Sequence, residues 1–194
     1  MKDSLHDYMK VGIVHFMAYP FALSGEEPVA DSIAEIVEDD FFDAIEVTRI
    51  NDDAERRRVA DILATSGATV GFGGQPYVLK GRLNLNSPDE EERAHAIDVL
   101  KGGIDQAYEL GAGKFGFLSG PKPPAAQRDQ ALELLADSIV QLGRYARPKG
   151  DLVLSLETFD DSTDKKALVG TNRMACELAY EVRKAIPDFG LMVD

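Results

Sequence analysis

Tryptophan is absent and cysteine occurs once, at Cys176. A lone thiol closes no intramolecular disulfide and builds no zinc-thiolate cluster within the chain, so a reducing cytoplasm is the expected home. Basic residues are also scarce, with 21 Lys and Arg against 34 Asp and Glu and a formal charge of −13. Such a surface repels phosphate backbones and argues against nucleic acid as a partner, while leaving room for a local cationic pocket that takes a small anion. Long apolar runs are missing too. None reaches the length that spans a bilayer, and the first residues, MKDSLHDYMK, hold no apolar signal core, so no membrane association is expected. There is no P-loop, nucleophile elbow or Cys-x-x-Cys pair. Gly111–Gly116 (GAGKFG) spells G-x-G-x-x-G, but it closes a helical pattern and opens a strand. A dinucleotide fingerprint needs the reverse, because a helix N-terminus holds the pyrophosphate.

What the 194 residues do contain is 44% hydrophobic side chains in a repeating order. Strand-like runs cover Lys10–Phe16, Phe42–Thr48, Ala68–Gly73, Ala112–Leu118, Leu152–Glu157 and Phe189–Asp194. The first reads as buried on both faces, with Val11, Ile13, Val14 and Phe16 leaving little polar alternation. Between the runs, apolar residues recur at helical spacing: Val29, Ile33 and Ile36; Val59, Ile62 and Leu63; Ile97, Leu100 and Ile104; Leu135, Ile139 and Leu142; Met174, Leu178 and Val182. Asn51 is the expected N-cap of the second helix. Ser87–Pro88–Asp89–Glu90 reads as a capping box for the third, and Gly111 as its left-handed stop. Cys176, beside Ala175 and Ala179, reads as buried. The alternation (βα)₅β fits one domain over residues 1–194, either a doubly wound sheet or part of a (β/α)₈ barrel. A repeat of about 36 residues brings eight units within the barrel range, so we expect a TIM barrel of which the chain supplies six strands and five helices.

In parallel α/β folds chemistry gathers at the carboxyl ends of strands. Those ends deliver His15, Glu46, the Gly71–Gln75 turn, Ser119–Lys122, Glu157 and Asp194. Acids closing apolar strands are costly unless paired or bound to metal, and hard oxygen ligands suit Mg²⁺, Mn²⁺ or Co²⁺. A solvated loop acid or a helix cap is the plainer alternative. His15 could meet a sugar hydroxyl or be a hydrogen-bonded core histidine. Glu46 could bind substrate or form a structural ion pair. Lys122 and Lys166 could neutralise a phosphate, orient a hydroxyl, or simply be solvated.

Leu154–Glu157 with Phe159–Asp160, Lys166–Thr171, Phe189–Asp194, Asn84–Pro88 and Ile104–Ala107 together resemble the sugar phosphate isomerase/epimerase family of xylose isomerase-like TIM barrels. The resemblance implies a divalent metal, Mn²⁺ first, held by Glu, Asp, His and Glu. Glu157 matches the first acid and Asp194 the second, while the His and last Glu would lie past residue 194 in a chain truncated at its C-terminus. It implies an isomerase or epimerase acting on a sugar, sugar phosphate or polyol through an enediolate, with Glu157 also moving a proton; His15, Glu46, Lys122 and Lys166 are the expected substrate contacts from their places at strand ends and in loops. An inosose-type dehydratase on the same scaffold and a non-catalytic remnant are the alternatives. A DNA-repair endonuclease is disfavoured by charge and by the lack of histidines after the early strands. Members are often homo-oligomers, though no residue pattern here reports that state.

Overall fold

The computed structural model describes residues 4–193, so Asp194 lies outside the described residues. Among them, six strands alternate with helices: β1 (Gly12–Val14), α1 (His15–Ala18), α2 (Ala30–Val37), β2 (Ala44–Val47), α3 (Asp53–Ser66), β3 (Thr69–Gly73), α4 (Gln75–Gly81), α5 (Glu90–Glu109), β4 (Lys114–Leu118), α6 (Arg128–Ala146), β5 (Val153–Glu157), α7 (Asn172–Val182) and β6 (Gly190–Met192). The sheet order is β1-β2-β3-β4-β5-β6. The β1–β2, β2–β3 and β5–β6 pairs are parallel. A doubly wound sheet reverses its order at a switch point, whereas an order that never reverses is that of a (β/α)₈ barrel. The fold is therefore α/β, a partial barrel. No helix among the described residues is long and apolar enough to cross a membrane.

The chain divides into two compact units, one running to Gly73 with Asp105–Lys114 added, the other Gly74–Ile104 with Phe115 onward. In the first, Ile45 and Val47 of β2 and Val70 and Phe72 of β3 are buried, as are Ile33 of α2 and Val59 and Leu63 of α3. β1 departs from its expectation. It is three residues long and only partly buried, because the chain turns into α1 at His15, and Phe16 reaches the core from that helix instead. The cap of α3 is Asp52 rather than Asn51: its carboxylate accepts from Glu55 N at 2.7 Å. Glu55 in turn caps α2, its Oε1 accepting from Val29 N and Ala30 N, each at 2.7 Å. A carboxylate at a helix start also meets the positive end of the helix dipole.

In the second unit β4 and β5 are almost wholly buried, with Phe115, Phe117, Leu154 and Leu156 under 3% exposed. Helix α5 carries Ile97, Leu100 and Ile104 inward, α6 Leu135, Ile139 and Leu142, and α7 Leu178 and Val182. The cap of α5 is Asp89, whose Oδ1 accepts from Glu91 N and Glu92 N at 2.9 and 3.0 Å. Ser87, the expected cap, stands two residues earlier and accepts from Asp89 N at 3.1 Å. Cys176 is exposed, on the outward side of α7 between the buried Ala175 and Ala179. Helix α4 is also unanticipated. It begins immediately after Gly74, whose N–H donates to Gly116 O at 2.6 Å.

That close approach demands glycine. A Cβ on Gly74 would lie 2.7 Å from Phe115 Cζ and 2.8 Å from Gly116 O, a backbone atom with little freedom to give way. Gly74→Ala is expected to lower unfolding stability by about 1–3 kcal/mol. Gly102, inside α5 with nothing within 4 Å of its would-be Cβ, should behave oppositely, and Gly102→Ala is expected to add about 0.4–1 kcal/mol. Urea midpoints of the two variants check the pair.

Candidate functional site

Leu154, Ser155 and Leu156 of β5 are buried, and Glu157 ends the strand half-buried and in register with Met192 of β6. Oε2 of Glu157 accepts a 2.8 Å hydrogen bond from Nε2 of Gln75, the first residue of α4. Gln75 is 8% exposed, and its Oε1 is buried without a hydrogen-bond partner. The reach depends on Gly116: a Cβ there would stand 3.0 Å from Gln75 Nε2 and 3.1 Å from Met192 Cε. Leaving an amide oxygen unpaired costs about 1–3 kcal/mol, whereas a hydrogen bond to an ionised acceptor returns about 1.5–3 kcal/mol.

Beyond Glu157 the chain makes a loop organised by Asp160. Its carboxylate accepts from Thr163 N at 2.6 Å and from Asp164 N and Lys165 N at 2.8 Å, contacts that hold its pKa well below the ordinary carboxylate range, the Lys165 N–H contributing most. Lys166 closes this loop with a left-handed backbone, φ 49°. Its carbonyl accepts from Lys122 N at 2.8 Å, and Pro121 bridges Ala167 in antiparallel fashion. Lys122 Nζ donates to both the carbonyl and the carboxylate of Asp161, at 2.9 and 2.7 Å, and this cation lowers the Asp161 pKa. Ser119 Oγ accepts from Val169 N at 3.0 Å. Lys122 thus serves the loop that follows Glu157, and Lys166 sits at that loop's turn.

The two candidates of the first unit are placed differently. His15 heads α1, 1% exposed, with Nε2 2.9 Å from Ser32 Oγ and its ring stacked on Tyr19. The Ser32 hydroxyl donates to Val29 O, so it accepts from the imidazole, which fixes the proton on Nε2. Burial pushes the His15 pKa down from 6.5 to about 4. Glu46 is the third of the four residues of β2, and a Cβ on Gly73 would come within 2.8 Å of its Oε1.

Among the described residues no three His, Cys, Asp or Glu side chains converge as a metal site. Glu157 contributes one carboxylate, and Asp194, expected as its companion ligand, falls outside the described residues. A divalent cation with its several oxygen ligands therefore fits here only as a partial site, with Glu157 as one ligand. The sequence places Gln75 in the turn after β3 but assigns it no partner. The one signal in the sequence was a polar side chain directly after a Gly-Gly pair at a strand end, which marks a close approach without naming the partner.

Residues 34–194 match the family model described as xylose isomerase-like TIM barrel. Among solved structures, a D-psicose 3-epimerase from Clostridium cellulolyticum H10, with D-tagatose, is 18% identical with a TM-score of 0.74, over 96% of this chain and 63% of that one. An L-ribulose 3-epimerase is 19% identical with a TM-score of 0.71, over 95% of this chain and 60% of that one. The IolI protein, with a bound zinc atom, is 16% identical with a TM-score of 0.71, over 94% and 62%. The chain thus spans somewhat under two thirds of the length of these structures. No curated protein matches it.

Two outcomes follow from the site geometry. A buried imidazole with a depressed pKa favours the native state above the unfolded pKa of 6.5, and that advantage is lost as pH falls from 6.5 towards 4, where only the unfolded chain takes the proton. Stability should fall by about 3 kcal/mol more across that window in the wild type than in His15→Asn, as read from urea titrations at each pH. Asp160→Ala should speed amide exchange at Thr163, Asp164 and Lys165 without shifting that of β4.

Proposed function

Because the chain belongs to the xylose isomerase-like TIM barrel family, we propose that it forms the Glu157-bearing part of a divalent-metal-dependent isomerase or epimerase acting on a sugar, sugar phosphate or polyol. The observation that carries this reading is Glu157 itself: a carboxylate ending a buried barrel strand, held by a buried amide donor. Solved structures of similar fold are named as sugar 3-epimerases, which supports the substrate class. Only residues of the second unit take part in the assignment.

Glu157 and Asp194 would hold the metal, Mn²⁺ first, although the similar IolI structure carries zinc. When bound, such a metal polarises a carbonyl and stabilises the negative charge that develops on its oxygen. Glu157 would take the proton from the carbon beside that carbonyl, leaving an enediolate, and return of a proton completes the isomerisation. The loop behind it, tied by Asp160 and by Lys122 to Asp161, would keep water from the carbanionic carbon and present Lys166 to a phosphate or hydroxyl. Lys122 would reach substrate only by leaving Asp161.

Solvent deuterium is the direct reporter. With Mn²⁺ present, a ketose incubated in D₂O should gain deuterium at the carbon next to its carbonyl. The rate should fall about 10²–10⁴-fold in Glu157→Gln and to the buffer rate on chelation. A panel of ketoses and inososes that shows no metal-dependent wash-in would sink the catalytic reading and leave the non-catalytic one.

A further inference from the structure

We propose that Gln75 is a positioning residue for Glu157, its side-chain amide occupying Oε2 so that the carboxylate is held in one orientation towards a bound cation. This deepens the reading of Glu157 as a metal-binding acid and rests on it. The first support is the contact: 2.8 Å from Nε2 to Oε2, made by a side chain 8% exposed. The second is what the amide forgoes. Its own Oε1 is buried without a partner. Methionine or leucine would fill a similar volume with no orphaned oxygen, so packing alone gives no reason for an amide here.

The third support is that the approach is built into the backbone. Gly74 caps α4 and donates to Gly116 O, and Gly116 carries no Cβ where one would press on Gln75 Nε2 and Met192 Cε. The chemistry of the donor agrees with the task. Lysine could also hold Glu157, but its charge would neutralise the carboxylate and compete with a cation. A neutral N–H donor orients the carboxylate and leaves its charge for the metal.

The test uses Mn²⁺ alone, titrated into the 194-residue chain and followed by electron paramagnetic resonance. Glu157→Gln is expected to abolish binding. Gln75→Met, still melting cooperatively, is expected to weaken it about 10–100-fold. Wild-type affinity in Gln75→Met, with binding lost in Glu157→Gln, overturns the positioning role and leaves the metal reading standing. Wild-type affinity in Glu157→Gln, or no binding by the wild type, overturns both. Should Gln75→Met fail to fold, the ¹⁵N-labelled wild type decides: saturating Zn²⁺ must shift the Gln75 side-chain amide signals, and unmoved signals overturn the proposal.

Discussion

A strand sealed on both faces can release polar atoms only at its end, and there each one has to find a partner. That constraint orders the carboxyl ends of β4 and β5, and it extends to β2, where the residue after the strand is buried as well. Thr48, just past β2, donates to Gly73 O at 2.8 Å. Ser119, just past β4, accepts from the backbone of Val169. Glu157, last in β5, takes the amide of Gln75. In each case the partner belongs to a neighbouring segment rather than to the strand itself. The pairing that makes these ends tolerable therefore also fixes the loops.

How far this was legible in the sequence depends on the range of the interaction involved. The long helices α5, α6 and α7 show in their apolar spacing because burial acts along one element, and the strands β2 to β5 show in their Val, Ile, Leu and Phe content for the same reason. Capping was read near the right places and at the wrong residues. Asn51 and Asp52 are both good caps, as are Ser87 and Asp89, and the choice rests on where the chain first takes helical dihedrals. α1 and α4 were invisible, being too short to display a period. Cys176 was misread because a small residue between two buried alanines can lie on either side of a helix edge.

The site divides along the same line. Glu157 could be picked out, since an acid ending an apolar run is a local anomaly. Its partner could not, because Gln75 lies 82 residues away and glutamine is ordinary in any composition. The loop after β5 is intermediate. Its turn residues are plain in sequence, yet the role of Asp160 appears only when several backbone N–H groups are seen to converge on one carboxylate. A clasp of that kind stabilises a loop by local hydrogen bonds and leaves its outward side chains free to vary.

The glycines around Phe115 carry a historical implication. At Gly103 a new Cβ would meet only side chains, the Phe115 ring at 3.2 Å and the Tyr77 ring at 3.4 Å. A smaller residue at position 115 would clear most of that space, so alanine at 103 enters with least strain in a lineage that trims Phe115 first and otherwise needs the Phe115 ring to give by a few tenths of an ångström. At Gly74 the obstruction includes the carbonyl of Gly116, which no side-chain replacement removes. One position can drift if its mutations arrive in the right order. The other meets the same backbone obstruction in either order, and the segment that leads into Gln75 is held with it.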